Sequence, residues 1–331
     1  MKRFVVMIVV IASIVACSQK DELKKKIGVS VRVFPSTLMM QTKSDNDLQN
    51  VATIDVLVFN NIGELLLHEK YKSLEAVSER PLELQTGEAE FCAIVNSTIN
   101  LDNIYKRKEL SETMVALADE DTQHVLMFGA TRAYIQYAEL VTIPVSALVA
   151  RISLRSISVD FSGSPWEGEQ LENTKVYLVN AIGESTIDGD AQMNNRIHHR
   201  SRYNNTINAE HLVLEELGKI EDGKKHDTPH YFFSYEHPGS IDSELDKAIY
   251  LTVEAQIGGK TYYYPIPVNL GYYGEKPLQV TGVSKNSSYD YSLTIKNPGG
   301  DIADKPVDAV FSSPAIIIND WTYSFSAEIV I

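Results

Sequence analysis

The sequence has too few cysteines to build a disulfide framework. Its 331 residues include two, at positions 17 and 92. Cys17 stands in a lipid-attachment context described below, and Cys92 would then be the only thiol left in the chain. Cys92 lies in the apolar stretch 89–95, which reads as a strand. We therefore expect a buried structural cysteine there, with a bridge between two chains as the alternative.

Sequence motifs of the common catalytic sites are also missing. The chain has no Gly-x-Ser-x-Gly elbow, no P-loop and no His-Glu-x-x-His. The segment from His226 to His230 holds two imidazoles and a carboxylate, but Pro229 predicts a turn, and a zinc site needs three or four oriented ligands. We expect no enzyme activity, no cofactor and no metal site.

Basic residues are outnumbered by acidic ones. The chain has 30 Lys and Arg against 44 Asp and Glu, which gives a formal net charge of −14. A surface that binds nucleic acid needs clustered Lys and Arg to contact the phosphates. We therefore expect no nucleic-acid partner.

Helical patterns are scarce, and strand patterns dominate. Residues 110–117, with Ser111 as N-cap, and residues 210–217 are candidates for short helices. Most of the remaining chain alternates apolar and polar residues between Gly, Pro, Asn and Asp, which is typical of antiparallel strands. Residues 51–59 alternate in this way, turn at 60–63 and return, which predicts a hairpin. The sequence predicts an all-β fold with two β-sandwiches and few short helices.

The chain begins with a secretory signal. Lys2 and Arg3 are basic, residues 4–15 are apolar with one interruption, and Ala16 precedes Cys17. This apolar run is shorter than the roughly 20 residues that span a bilayer, which disfavours a transmembrane anchor. The sequence Ile-Val-Ala-Cys resembles the bacterial lipobox, in which the cysteine is acylated after cleavage. It predicts a surface lipoprotein of a Gram-negative bacterium, with an ordinary signal peptide as the alternative.

Both ends of the mature chain carry a strand pattern. A strand that is apolar at every second residue places one face in an apolar groove. Two edge strands within one fold explain this pattern. So does strand exchange, in which the terminal strand of one subunit fills the groove left by the cleaved first strand of another. The alternating residues are Ile27, Val29, Val31 and Val33 near the N-terminus, and Trp321, Tyr323, Phe325, Ala327, Ile329 and Ile331 at the C-terminus.

An ordered series of short motifs, together with the lipobox at Cys17, resembles one family over nearly the whole chain. That family is the major fimbrial subunits of Bacteroidales, the FimA-type fimbrillins of type V pili. The motifs are VLVFNNIGELL at 56–66, VSALVARISL at 145–154, YFFSYEHP at 231–238, TYYYPIPVN at 261–269, VSKNSSYDYSLTI at 283–295 and IIINDW at 316–321.

The resemblance implies two tandem transthyretin-like β-sandwiches in a precursor that reaches the outer membrane and the cell surface as a lipoprotein. A protease of trypsin-like specificity would remove the N-terminal strand, and subunits would polymerise into an adhesive fimbrium by donor-strand exchange. The partners would be further copies of the chain and related fimbrial subunits. The expected parts are a signal peptide 1–17, a removed segment 18–43 and two sandwiches at 44–157 and 158–331. The boundary near residue 158 lies where the composition changes at 162–165.

The family usually has Thr-Arg at the cut, whereas this sequence has Thr42-Lys43-Ser44. The resemblance thus implies cleavage of the Lys43–Ser44 bond, by an enzyme that is not specific for arginine. Arg32 is the second candidate, although it lies within the strand pattern.

Three other roles remain open at this point. The family also includes anchor subunits that keep their lipid and tip subunits that close the filament. The apolar C-terminal pattern favours a stalk subunit, because a tip needs no donor strand. The third alternative is a monomeric surface lipoprotein that binds glycans.

Overall fold

The structure is a computed structural model that describes residues 26–35, 51–121, 124–190, 196–197, 213–237, 248–273, 276–280, 282–303, 310–316 and 324–331. Strands dominate these residues, and the α-helices among them are two short ones. The prediction of an all-β fold with few short helices is confirmed. Among the described residues, no helix has the length and apolar character needed to cross a membrane.

The first part of the chain forms one seven-stranded sheet in the order β3-β2-β5-β7-β8-β1-β4. A short strand, β6, and the helices α1 and α2 lie outside it. The bounds are β1 (Lys26–Pro35), β2 (Ile54–Asn60), β3 (Leu65–Tyr71), α1 (Leu74–Glu79), β4 (Leu82–Gln85), β5 (Gly87–Val95), α2 (Arg107–Ser111), β6 (Met114–Ala116), β7 (Met127–Ile135) and β8 (Leu140–Ala147).

The sheet folds over at the step from β7 to β8. These two strands pair at two positions, Met127 with Ala147 and Phe128 with Ser146. At the next residue, Gly129, a Cβ atom would lie 1.9 Å from the carbonyl oxygen of Pro144. The two backbones therefore cross in close contact at a glycine, because no side chain fits there. On the two sides of this corner, β2 and β5 contribute to the same hydrophobic core as β1 and β8.

In its described residues, the second part of the chain forms two larger sheets and three two-stranded pairings, one of them with β6 of the first part. One of the larger sheets has the order β14-β10-β17-β18, and the other has the order β15-β9-β21-β23-β22, with β16 also paired to β9. The bounds are β9 (Val149–Val159), β10 (Gln170–Val179), β11 (Ala181–Ile182), β12 (Glu184–Thr186), β13 (Arg196–Ile197), β14 (Leu214–Glu221), β15 (Lys225–His226), β16 (His230–Tyr235), β17 (Tyr250–Ile257), β18 (Lys260–Pro267), β19 (Leu270–Tyr273), β20 (Lys276–Val280), β21 (Ser288–Ile295), β22 (Val310–Ile316) and β23 (Ser324–Val330).

These two sheets share a packed interior. Val176 and Val253 of one sheet and Leu154 and Leu293 of the other belong to the same hydrophobic core and have at most 1% of their surface exposed. The change from the first sheet to the second falls at Leu148, between β8 and β9. The predicted domain boundary near residue 158 lies inside β9.

The predicted hairpin at 51–67 is confirmed, since β2 and β3 pair antiparallel. Its turn is built by Asn60, whose side-chain oxygen accepts hydrogen bonds from the backbone N–H groups of Ile62 and Glu64 at 3.1 and 2.8 Å. Gly63 has a φ of 82°, a conformation that glycine adopts without a steric penalty. Local turn chemistry therefore explains why this element was predictable.

Both helix predictions are wrong. In the segment 110–117 the helix α2 ends at Ser111, and β6 follows and pairs with β12. In the segment 210–217, residues 210–212 lie outside the described residues, and from Leu214 onward the chain is the strand β14, which pairs with β10. Sheet pairing with distant residues outweighs the local helix preference in both places.

Candidate functional site

The strand β1 fills a slot between two other strands. It runs parallel to β8, from Ser30 opposite Leu140 to Pro35 opposite Val145. On its other side it runs antiparallel to β4, from Lys26 opposite Gln85 to Val29 opposite Leu82. The segment before the predicted cleavage point is therefore a strand of the sheet that joins β4, through its first four residues, to β8, through its last six.

One face of β1 is packed into the core. Val29, Val31 and Val33 are at most 4% exposed, and Ile27 packs partly against the same core. The residues opposite them are also buried: Val31 faces Val141 on β8. The four residues predicted to form the displaced strand thus lie in one apolar row. Their neighbours in register are Leu84, Leu82, Val141 and Ile143.

The helix α1 packs against β1. Ser73 caps its N-terminus by accepting a hydrogen bond from the N–H of Ala76 at 3.2 Å. Val77 is the buried residue of this helix, with 1% of its surface exposed. The slot therefore has strands at its two sides and a helix that contacts the inserted strand.

The predicted processing residues have different positions. Arg32 lies within β1 opposite Thr142, with its side chain exposed and its backbone in the sheet. A protease needs an extended backbone that is free of such pairing, which makes Arg32 the poorer candidate. Cys17, Lys43 and Ser44 lie outside the described residues.

The strand β23 at the other end of the chain is also internal to a sheet. It runs parallel to β21 and antiparallel to β22. In register, Phe325 lies opposite Tyr289, Ala327 opposite Tyr291, and Ile329 opposite Leu293. Those three partners are buried, and so is Ile329, with 0% of its surface exposed.

The last residue of the chain is held in place. The backbone N–H of Ile331 donates to the carbonyl of Thr294 at 2.9 Å, and its carbonyl accepts from the N–H groups of Lys296 and Asn297. Its side chain is 8% exposed. Trp321 and Tyr323, the first two residues of the predicted donor strand, lie outside the described residues.

Solved structures share the fold of this protein over most of the chain. A fimbrilin (FimA) from Porphyromonas gingivalis W83 superposes with a TM-score of 0.61 at 13% identity, covering 93% of this chain and 97% of its own. The chain has the fold of the Bacteroidales fimbrilins. The resemblance seen in the sequence is confirmed at this level.

Two structures assigned to cell adhesion share the fimbrilin fold as well. One, from Parabacteroides distasonis ATCC 8503, has a TM-score of 0.56 at 16% identity and covers 92% of this chain and 99% of its own. Another, from Bacteroides eggerthii DSM 20697, has a TM-score of 0.59 at 13% identity and covers 92% and 97%. No protein-family model matches the sequence, and no curated protein is similar to it in sequence.

Cys92 is a core residue of this fimbrilin fold. It lies in β5 and is fully buried, as predicted. Burial raises the pKa of its thiol to about 12, so the reactive thiolate is absent at neutral pH. This cysteine is therefore structural.

Arg107 ties the two parts of the chain together. Its Nε donates to Glu90 at 3.1 Å, and its two terminal nitrogens donate to the two carboxylate oxygens of Asp188 at 3.2 and 3.1 Å. Its guanidinium also lies 5.8 Å from the ring centroid of Phe128. The bidentate geometry makes this a strong and directional contact. No sequence motif marks it, because its members are far apart in the chain.

Glu120 is a second contact of this kind that the sequence does not reveal. It is 8% exposed, accepts a hydrogen bond from the N–H of Leu126, and accepts another from the hydroxyl of Tyr235, both at 2.9 Å. Burial raises the pKa of the Glu120 carboxyl to about 7, although both hydrogen bonds lower it. Burial raises the pKa of the Tyr235 hydroxyl, and the neighbouring Glu120 carboxylate raises it further.

His226 and His230 form a stacked imidazole pair. Their Nε2 atoms are 2.8 Å apart, their ring centroids are 5.1 Å apart, and the ring planes differ by 17°. A carboxylate oxygen of Glu215 lies 3.9 Å from Nδ1 of His230. Burial, followed by the neighbouring His226, lowers the pKa of His230. In the described part of the chain, no group of three or more His, Cys, Asp or Glu is arranged around a metal position.

Proposed function

We propose that this protein is a structural subunit of a fimbrium, exported to the cell surface as a lipoprotein on Cys17. Cleavage at Lys43–Ser44 would remove the β1 strand, and subunits would then polymerise by donor-strand exchange to serve adhesion. The observation that carries the proposal is the position of β1. This segment precedes the expected cut. It pairs with β4 and β8, and its Val29, Val31 and Val33 side chains are buried in the core.

The slot has the properties that an incoming strand requires. Without β1, both β8 and β4 would present unpaired backbone groups along an apolar row that includes Val141 and Ile143. Exposure of these apolar side chains to water is unfavourable. The unpaired edges of β4 and β8 would also tend to pair with other chains. An added strand restores the hydrogen bonds and the burial together.

The C-terminal strand matches the slot in spacing. Ile27, Val29, Val31 and Val33 place an apolar residue at every second position, and the run from Phe325 to Ile331 has the same period. In the precursor this run is paired to β21, so exchange would require β23 to leave that sheet. The slot requires a strand with alternating apolar side chains, and both ends of the chain supply one.

Proteolysis of the purified precursor tests the proposal. Trypsin-like treatment should trim the chain to Ser44, as read by N-terminal sequencing, and should produce a ladder of oligomers in gel filtration and electrophoresis. Lys43→Ala should block trimming and leave monomers. Arg32→Ala is the matched control and should be trimmed and polymerise as the wild type does.

Two outcomes would contradict this function. One is a chain that is cleanly trimmed at Ser44 and stays monomeric at high concentration. The other is a variant lacking residues 322–331 that still forms surface filaments. A mature N-terminus at Cys17 would instead indicate a lipid-retained anchor subunit or a surface-binding lipoprotein.

A further inference from the structure

The first part of the chain has an open cleft that is separate from the slot of β1. Its volume is about 480 Å³, within the roughly 300–1,000 Å³ of small-molecule sites. Residues of β5 and β7, of the turn between β2 and β3, and of the helix α2 line it. The lining residues with polar side chains that bear on its chemistry are Asn61, Glu88, Glu90, Arg107, Arg132 and Tyr134.

Strand pairing places four of these side chains next to one another. Glu88 of β5 lies opposite Tyr134 of β7, and Glu90 lies opposite Arg132. Residues directly opposite on neighbouring strands share a face of the sheet, and so do residues two positions apart on one strand. The cleft therefore contains an aromatic ring, a guanidinium and two carboxylates on one face. The Tyr134 side chain belongs to a residue that is 57% exposed.

The inner part of the cleft is held in place by the fold. The backbone N–H of Arg107 donates to the carbonyl of Gly63 at 2.8 Å, which joins α2 to the turn between β2 and β3. The guanidinium of Arg107 is bonded to Glu90 and Asp188. The side chains of Arg107 and Glu90 are only 19% and 16% exposed. These groups are thus fixed before a ligand arrives, which lowers the entropic cost of binding.

The outer part of the cleft presents polar groups that a ligand can use. Within the described residues, the exposed side chains of Asn61, Glu88 and Tyr134 have no hydrogen-bond or ion-pair partner. Arg132 makes one long contact, 3.4 Å to Glu90, and its side chain is 85% exposed. Together they offer carboxylate acceptors, guanidinium donors, and an amide and a hydroxyl that both donate and accept.

The charges of the cleft exclude a strongly charged ligand. The carboxylates of Glu88 and Glu90 are matched by the guanidinium groups of Arg107 and Arg132. Arg107 is also paired with Asp188, so no excess positive charge remains to bind phosphate or another anion. A metal cation would have to displace the two guanidinium groups that contact Glu90. The cleft therefore suits a neutral ligand with several hydroxyl groups.

We propose that this cleft binds a neutral sugar unit of a glycan. A pyranose ring has apolar C–H groups on its faces and hydroxyl groups around its edge. The C–H face would pack on the exposed ring of Tyr134, which has an apolar body and a polar tip. The hydroxyl groups would donate to Glu88 and accept from Arg132, with Asn61 able to do both. The site is independent of the proposed polymerisation, because it lies outside the slot that exchanges a strand.

Sugar binding by the full-length, uncleaved chain tests the proposal. The probes are glucose, galactose, mannose and N-acetylglucosamine, with N-acetylneuraminic acid as the anionic comparison. Saturation-transfer NMR and calorimetry should show binding of at least one neutral sugar and weaker or no binding of the anionic one. Tyr134→Ala should weaken binding by roughly tenfold or more, and Tyr134→Phe should retain most of it. Glu88→Gln should weaken it by roughly tenfold, because hydrogen bonds to a charged acceptor are the stronger ones.

Two variants outside the lining are the matched controls. Tyr137→Ala removes a tyrosine that is 71% exposed, and Glu83→Gln neutralises an exposed carboxylate on β4. Both should bind the sugar as the wild type does. Tyr134 and Glu88 are themselves exposed, so their variants should keep the wild-type circular dichroism spectrum. The proposal is overturned if none of the four neutral sugars binds, if N-acetylneuraminic acid binds more tightly than all of them, or if Tyr134→Ala and Glu88→Gln bind as tightly as the wild type.

Discussion

The strands β1 and β23 hold similar places in the two parts of the molecule but have different surroundings. Each has one parallel and one antiparallel neighbour, β8 and β4 for β1, and β21 and β22 for β23. Beyond these neighbours the two sites differ. The outer neighbours β4 and β22 are alike, since neither has a second partner among the described strands, but the inner neighbours differ: β21 is paired with β9 along its whole length, whereas β8 pairs with β7 at two positions.

This difference means that the first part of the chain needs a strand in the position of β1, whereas the second part can release β23. Loss of β1 would leave a gap between two strands that have little other support. Loss of β23 would leave β22 without its partner but keep the ladder between β9 and β21 in place, with β21 as a new edge. The first part of the chain is thus suited to receive a strand and the second to donate one, which agrees with the proposed exchange.

The largest expected effect comes from a charge on the buried face of β1. Val31 is 1% exposed and lies opposite Val141 of β8, so Val31→Asp would place a carboxylate in the apolar row of β1. An unpaired buried charge should lower the unfolding free energy of the precursor by about 3–5 kcal/mol. Urea unfolding followed by circular dichroism measures the change.

Arg32→Asp is the matched control for this prediction. Arg32 is the next residue on the same strand, but its side chain points to solvent. We expect a loss below about 1 kcal/mol there, from strand propensity alone. Equal losses at the two positions would mean that β1 is not anchored by its buried face, and the contrast with β23 would fail.

Much of β1 could be predicted from the sequence, because its period of two directly identifies the buried face. The alternation at Val29, Val31 and Val33 is a local property of the chain. The neighbours of β1 could not be predicted, since β4 and β8 are distant in sequence and no local pattern encodes which strands pair. The same reason explains the wrong helix at 110–117, where Met114 to Ala116 pair with β12.

The contacts that join the two parts of the molecule were the hardest to foresee. Glu120 and Tyr235 are single residues in unremarkable contexts, and each gains its role from the other. The imidazole pair was visible as a motif, but its geometry depends on the pairing of two strands with β9. Sequence periodicity locates buried faces, whereas polar contacts between elements require the fold.

The second prediction concerns pH and the contact between Glu120 and Tyr235. The pKa of Glu120 is raised from 4.5 to about 7 in the folded chain, so the folded state binds its proton more tightly than the unfolded state does. The associated stability is fully present below pH 4.5, falls as the pH rises, and is lost above pH 7. The shift corresponds to about 3 kcal/mol between these limits.

Glu120→Gln should remove this dependence. The amide oxygen still accepts from the N–H of Leu126, and the amide NH2 would donate to the hydroxyl of Tyr235, which reverses the direction of that bond. The variant should therefore match the wild type near pH 4.5 and exceed its unfolding free energy at pH 8. Urea unfolding across this pH range gives the two curves. Glu83→Gln, at an exposed position, should follow the wild-type curve. Parallel curves for the wild type and Glu120→Gln would show that the pKa of the Glu120 carboxyl is not raised in the folded chain.

The third prediction compares one glycine from each part. In Gly129→Ala, the new Cβ would lie 1.9 Å from the carbonyl oxygen of Pro144, inside the corner of the first sheet. In Gly299→Ala, it would lie 2.2 Å from the carbonyl oxygen of Tyr263, in a segment outside the regular strands. Overpacking should cost about 2–3 kcal/mol at both positions, because the backbone of Gly300, next to Gly299, is held to Tyr263 by two hydrogen bonds at 2.9 Å.

Gly28→Ala is the control for these two substitutions. Its Cβ would be 3.6 Å from that of Pro81, an ordinary contact. The residue lies in β1, where alanine has less backbone freedom to lose on folding, so stability should be unchanged or slightly higher. Thermal unfolding of the three variants ranks them. A loss at Gly28 as large as that at Gly129 would show that the corner is not specially constrained.

The smallest expected effect lies at the ion pair between Arg107 and Asp188, which links the two parts at the surface. Asp188→Asn keeps the shape of the side chain but removes its charge, and with it half of the bidentate pairing. The side chains of Arg107 and Asp188 are 19% and 29% exposed, so solvent screens the pair incompletely. We expect a loss of about 1 kcal/mol in unfolding free energy, which falls as salt is added.

Asp301→Asn tests whether this effect is specific to a contact between the two parts. Asp301 pairs with Lys260 at 3.2 Å, but both side chains are more than half exposed. Such a pair contributes little, because water and salt screen it and two long side chains must be held in one geometry. No measurable change is therefore expected at Asp301. If both substitutions have the same effect, the bond from Arg107 to Asp188 is an ordinary surface ion pair, and the contact of Glu120 with Tyr235 remains a buried polar link between the two parts.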